Sequence, residues 1–220
     1  DQIPTDETNL AWKAAELVAR ACGEDPNIHI QIDKSIPIAA GMAGGSADAA
    51  ATLVACDTYW NAGIPRDQLD AMAATVGSDV PFMLHGGCAL GVGRGDVLSP
   101  VMIRGSFHWV FATFDEGLST VQIYEKTDEL RGLEFEAEPE VPTELLSALA
   151  RGDAPALGRL LHNDLQLAAT TSRPLLGRVL EQGIDCGALG AIVSGSGPTC
   201  AFLVRDESSA IDLVVALKAS

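Results

Sequence analysis

Pro37-Ile38-Ala39-Ala40-Gly41-Met42-Ala43-Gly44-Gly45-Ser46-Ala47-Asp48-Ala49-Ala50 runs from a glycine-rich segment straight into an alanine-rich, apolar one. Glycines at 41, 44 and 45 remove Cβ atoms where a backbone must approach a ligand or take positive φ, and they leave amide N–H groups free to face an anion. Ala47 to Ala55 are strong helix formers, and Ser46 is placed to cap them. The first-turn N–H groups and the helix dipole then favour a phosphate at Gly44 to Ala47. Two commoner phosphate loops do not fit. A Walker A loop needs lysine directly after its last glycine, where Ser46 stands, and a dinucleotide fingerprint needs G-x-G-x-x-G spacing. A glycine-rich turn without a ligand is the alternative at this level.

Composition narrows the classes around this loop. The chain has 220 residues, 47% of them hydrophobic, and a net charge of −16. It is long enough for one large core or two smaller ones. Only fourteen Lys and Arg are present and they form no cluster, which argues against nucleic-acid binding. No stretch approaches the roughly eighteen apolar residues of a membrane span, and the sequence does not open on a basic segment followed by an apolar core, so secretion is not expected. Five scattered cysteines and four histidines show neither C-x-x-C nor H-x-x-x-H spacing, so the expectation is reduced thiols, a cytoplasmic protein and no structural zinc. A polyanionic ligand approaching so acidic a protein needs local help, for which Lys34 and Arg94 are candidates; each is otherwise a solvated surface charge.

Outward from the loop, Leu10, Ala14, Leu17, Val18 and Ala21 share one face of a helix, and Ile28, Ile30 and Ile32 alternate with polar residues as a half-buried strand over 27–33. After the loop helix, Leu69, Met72, Ala73 and Val76 set another helix from near Asp67 to Gly77. Asp79 then lies in a short connection leading to an apolar strand through Leu84, a position where catalytic groups are often held, although aspartates in turns commonly serve only local N–H groups. The residues from Gly86 to Leu98 read as a strand, a tight turn and a returning strand. Phe107 to Phe114 is a further strand, and Ser119-Thr120-Val121-Gln122 opens a helix through about Leu130. The acidic stretch Glu134 to Glu140 reads as a linker. Asp153 caps a helix over 154–167, Ser172 caps another over 174–182, and Asp206 caps a last one from Glu207 toward Lys218. Strands over 189–193 and 199–204 flank a second glycine-rich turn, Ser194-Gly195-Ser196-Gly197-Pro198. That order predicts an antiparallel α+β sheet with helices on one face.

Taken together, Pro37 to Ala50, Gly77 to Leu84 and Ile192 to Phe202 resemble the three ordered motifs of the GHMP small-molecule kinases. Gly77-Ser78-Asp79-Val80-Pro81-Phe82, Gly93-Arg94-Gly95-Asp96, Asn163-Asp164-Leu165 and Ser194 to Thr199 resemble the members that act on a cytidine-diphosphate-linked methylerythritol in non-mevalonate isoprenoid synthesis. The loop differs at Met42-Ala43, where Leu-Gly is frequent, and Asp96 stands where Glu is usual.

The resemblance implies a two-domain α+β architecture. Residues 1–103 form a nucleotide-binding domain like the second domain of ribosomal protein S5, residues 104–220 form a ferredoxin-like domain, and the active site lies between them. It further implies ATP as co-substrate with Mg2+, Pro37 to Ala47 around the ATP phosphates, Ser46 available to a phosphate oxygen or the metal, and Asp79 as the catalytic aspartate. Asp48 is expected to face away from the phosphates. No metal-ligand set is assigned. The implied activity is transfer of the γ-phosphate to the 2-hydroxyl of the methylerythritol moiety. A homoserine- or mevalonate-type kinase, or a non-catalytic nucleotide-binding module, is the alternative. The family's front segment, with its catalytic lysine, has no counterpart among Lys13, Lys34, Lys126 and Lys218, so residues 1 to 220 are expected to be part of a longer protein and inactive alone.

Overall fold

A computed structural model describes residues 3–132 and 141–219; the acidic 134–140 stretch, expected to be a linker, lies outside the described residues. By internal contacts the chain divides into two units, Asp1–Ile38 with Ala43–Val101, and Ala39–Met42 with Met102–Ser220.

The first unit is built on helix pairs. Helix α1 (Leu10–Cys22) starts where Asn9 accepts a bond from the Ala11 N–H and ends at left-handed Gly23. Helix α2 (Gly44–Tyr59) packs along it, and α3 (Arg66–Val76) and α4 (Val80–His85) complete the layer. Ala14, Val18, Ala49, Leu53, Leu69, Ala73 and Val80 form the core. Small residues at 14, 15, 49 and 50 let α1 and α2 approach closely, and Leu53, with no exposed surface, fills the space beneath them. A Leu53→Ala cavity there costs about 2–5 kcal/mol. Strands β1 (Ala89–Val92) and β2 (Val97–Pro100) form the expected antiparallel hairpin, Ala89 opposite Pro100.

Two expectations in this unit are corrected. The segment over 27–33 keeps its alternation, with Ile28 and Ile30 against the core, but it has no ladder partner among the described residues and is an extended segment rather than a strand. The apolar run after Asp79 is helix α4, not a strand. Five apolar residues do not separate the two by periodicity, and Pro81 sits in the first turn, where its missing N–H costs nothing.

In the second unit, β3 (His108–Ala112), β4 (Gly190–Val193) and β5 (Cys200–Val204) form an antiparallel sheet in the order β3-β5-β4, with Val110 opposite Phe202 and Ile192 opposite Ala201. Helix α5 (Thr120–Arg131) is capped by Ser119 as expected. It is followed by α6 (Thr143–Arg151), α7 (Ala154–Leu160), α8 (Gln166–Ser172), α9 (Pro174–Asp185) and α10 (Glu207–Lys218). Val110, Phe202, Val204, Leu176, Leu180 and Leu213 make its core between the sheet and α9 and α10. The helix expected over 154–167 is two helices. The chain breaks between α7 and α8 because the Asn163 carboxamide takes up the Leu165 N–H and reaches away to the sheet. Ser172 closes α8 instead of capping α9, whose first turn is set by Pro174 behind Arg173. Among the described residues, no helix is long and apolar enough to cross a membrane.

Candidate functional site

The glycine-rich loop reaches α2 through an irregular backbone. Gly41 is left-handed at φ 70°, and so are two residues with side chains, Ala39 at 50° and Ala43 at 49°. A left-handed alanine costs roughly 1–2 kcal/mol, so the surrounding structure imposes both conformations. Ala43 is the N-cap of α2 and offers no side-chain acceptor. Ser46 is therefore not the cap: it lies within the first turn, and its hydroxyl makes no hydrogen bond among the described residues. The Ala47 N–H bonds the Ala43 carbonyl at 2.9 Å, which leaves the amides of Gly44, Gly45 and Ser46 as the uncapped donors at the dipole's positive end. This arrangement suits an anion of several oxygens.

Gly44 has a second constraint. A Cβ there would lie 2.9 Å from Ile36 Cγ2 and 3.0 Å from Lys34 Nζ, so the entering segment passes close beneath the helix start. Lys34 donates to the Asp48 carboxylate, the two side chains being 14% and 22% exposed. Asp48 thus pairs with the one candidate cation beside the loop. Arg94, the other candidate, is 72% exposed and pairs with Asp96 at 2.7 Å, holding that carboxyl below the usual carboxylate range.

Asp79 stands at the N-cap position of α4, packed through that helix against α2 and α3 in the first unit. Its side chain is exposed and makes no capping bond; the backbone carbonyl alone receives the Met83 N–H at 3.1 Å. The local role of bonding nearby N–H groups is thus not what this carboxylate does, and its oxygens are available to a ligand. Pro37 and Ile38 lead into the loop, Pro37 half-buried and Ile38 exposed.

Ala39, Ala40, Gly41 and Met42 are held within the second unit by the Ser194 to Thr199 turn. Ser194 Oγ donates to the Gly41 carbonyl at 2.8 Å, the Thr199 N–H donates to the Ala40 carbonyl at 3.3 Å, and the Leu118 N–H donates to the Ala39 carbonyl at 3.3 Å. The approach is close enough that a Cβ on Gly41 would lie 2.2 Å from the Ser194 carbonyl oxygen. The turn itself is braced by Asn163, whose Nδ2 donates to the Val193 and Gly195 carbonyls, each at 2.8 Å, and by Gln166, whose Oε1 accepts from the Val193 N–H. Ser196 is buried against Thr120, hydroxyl to hydroxyl at 3.0 Å. Next to the brace, His162 and then Arg131 hold the Asp164 carboxyl below its ordinary range.

Sequence reasoning missed the bracing role of Asn163 and the left-handed alanines. The Asn-Asp-Leu triplet was the one available signal for Asn163; nothing local marks Ala39 or Ala43. The first unit also carries an apolar cavity of about 430 Å³ between α1 and the 27–33 segment, walled by Trp12, Ile28 and Ile30 and by no residue of the loop. Among the described residues, no three His, Cys, Asp or Glu side chains gather as a metal site.

Residues 9–87 match the GHMP kinases N terminal domain and residues 145–220 the GHMP kinases C terminal domain. The chain is 54% identical over 213 residues to the 4-diphosphocytidyl-2-C-methyl-D-erythritol kinase of Mycobacterium tuberculosis, covering 97% of this chain and 67% of that protein. It is 53% identical over 219 residues to the enzyme of the same name from Thermobifida fusca, covering 100% and 71%. A crystal structure of 4-(cytidine 5'-diphospho)-2C-methyl-D-erythritol kinase superposes with a TM-score of 0.80 at 32% identity, over 99% of this chain and 77% of that one. Homoserine kinase from Cytophaga hutchinsonii superposes at 0.82 with 18% identity, over 99% and 73%, a likeness of fold alone. With both family domains in order and relatives this similar along nearly its whole length, the chain belongs to the GHMP kinases, a family of small-molecule kinases.

Proposed function

We propose that the protein transfers the γ-phosphate of ATP to the 2-hydroxyl of 4-diphosphocytidyl-2-C-methyl-D-erythritol. The observation that carries this reading is the 54% identity, over 97% of the chain, to a kinase named for that substrate. The site chemistry supports it. Phosphoryl transfer asks for in-line positioning and neutralisation of charge more than for covalent chemistry. The Gly44, Gly45 and Ser46 amides and the α2 dipole supply fixed donors for phosphate oxygens, and they need no reorganisation as charge develops. Asp79 has an exposed carboxylate with no side-chain partner among the described residues, suited to orient the attacking hydroxyl and receive its proton as the oxygen bonds to phosphorus and ADP leaves.

Mg2+ fits such a site because it is commonly held by one or two protein oxygens together with substrate phosphates and water. The Ser46 hydroxyl, without a hydrogen-bond partner among the described residues, would be the loop's ligand for it. When bound, the ion supplies charge neutralisation at the phosphates. The test is a turnover assay of the full-length protein with ATP, Mg2+ and the cytidylylated methylerythritol, run beside homoserine and mevalonate. Phosphorylation of the first alone is expected. Turnover of either other alcohol at equal or greater kcat/KM overturns the substrate assignment, and nucleotide binding without turnover of any favours a non-catalytic module.

A further inference from the structure

The geometry points to Lys34 as a positioning residue that neutralises Asp48, so that the start of α2 can accept a polyphosphate. This rests on the reading that the Gly44 to Ser46 amides receive the nucleotide phosphates. Asp48 is five residues into α2, and helical side chains lean toward the N-terminus, so its carboxylate covers the turn that carries those amides rather than facing away from it as the sequence suggests. An uncompensated anion there opposes the helix dipole's attraction for phosphate. In a chain of net charge −16, no surplus of positive charge offsets it from a distance. Lys34 provides the offset: its ammonium donates to Asp48 Oδ2, both side chains are mostly withdrawn from solvent, and the same nitrogen lies 3.0 Å from where a Gly44 Cβ would stand. Solvent screens such a pair less than an exposed one. The missing Cβ at Gly44 gives Lys34 its path to Asp48. The glycine therefore serves the pair beneath the helix as well as the ligand.

Four proteins test this: wild type, Lys34→Met, Asp48→Asn and the double variant, each as the full-length chain, with ATP affinity read by calorimetry and KM and kcat by turnover. Lys34→Met leaves the carboxylate uncompensated, and the ATP Kd rises about tenfold, the size of effect one partly screened charge has beside a phosphate, while kcat at saturating ATP falls by less than Kd rises. Removing the carboxylate as well restores affinity to within about threefold of wild type, because the offending charge is gone. Asp48→Asn alone frees a cation beside the phosphates and tightens ATP binding. The Lys34→Met deficit also shrinks as salt rises. A double variant as weak as Lys34→Met, or an Asp48→Asn variant that binds ATP more weakly than wild type, overturns the inference. The latter variant keeps the test open if Lys34→Met fails to fold. Wild-type protein that neither binds ATP nor turns over the methylerythritol substrate defeats the proposed function instead, and the two failures are read from different samples.

Discussion

Replacing Gly41 by alanine sets two costs against one loop. At φ 70° an alanine is left-handed, at about 1–2 kcal/mol. Its Cβ would also stand 2.2 Å from the Ser194 carbonyl oxygen and 2.9 Å from the Gly197 nitrogen, both backbone atoms in a turn braced by Asn163, so neither yields cheaply. The loop's cheaper course is to leave the turn. Undocking forfeits the bond from Ser194 Oγ to Gly41 and that from the Thr199 N–H to Ala40, each worth about 1 kcal/mol net. Those bonds are as strong in the variant as in wild type; what changes is the docked state, which carries left-handed strain of about 1–2 kcal/mol before the collision is added, so the docked loop becomes at least about tenfold rarer relative to the undocked one. A nucleotide needing the docked loop then binds with an apparent Kd higher by as much as that factor. Calorimetric titration of Gly41→Ala with ATP, alongside urea denaturation, measures both effects. Gly63→Ala is the control, because Gly63 is also left-handed, at 62°, but has open space where a Cβ would go. It should lose about 1 kcal/mol of stability and keep its ATP affinity. Wild-type ATP affinity in Gly41→Ala, or an equal loss in both variants, refutes the docking argument.

Asp79→Asn should lower kcat by about 10²-fold or more with no loss of stability, since the carboxylate makes no hydrogen bond among the described residues; near-normal turnover removes it from the mechanism. Gly44→Val should weaken ATP binding through collision with Ile36 and Lys34, and unchanged affinity by calorimetry counts against a cradle there. Burial pushes the Cys200 thiol up to about 12 from 9.0. Folding therefore favours its neutral form, and the stability this confers is complete below pH 9 and lost as pH rises from there toward 12. Under native conditions at pH 8 a thiol reagent should label exposed Cys186 and spare Cys200, with the latter reacting on unfolding; rapid native labelling of Cys200 contradicts its burial.

The elements that the sequence determined by itself are those whose signals are local. The helix carrying Leu10 to Ala21, the Ser119 and Asp206 caps, the β1–β2 hairpin and the paired strands around Ser194 to Pro198 follow from periodicity, capping oxygens and turn residues within a few positions of one another. The loop running into a helix was legible for the same reason, and so was Asp79 as a carboxylate in a short connection. Tertiary structure decided what depends on distant partners. Residues 27–33 alternate like a strand, yet a ladder requires a neighbour that no local pattern supplies. The helix expected over 154–167 breaks because Asn163 bonds carbonyls thirty and thirty-two residues away. The sequence allows each loop glycine either positive φ or close approach; Gly41 takes positive φ, Ala43 adopts that conformation at the α2 start, and Gly44 is needed for clearance over Ile36 and Lys34. Ser46 lost its capping role to the same geometry. Side-chain type and spacing along the chain marked where a phosphate could sit; which amides stay free, and which charges flank them, is set by contacts between residues that sequence order keeps apart.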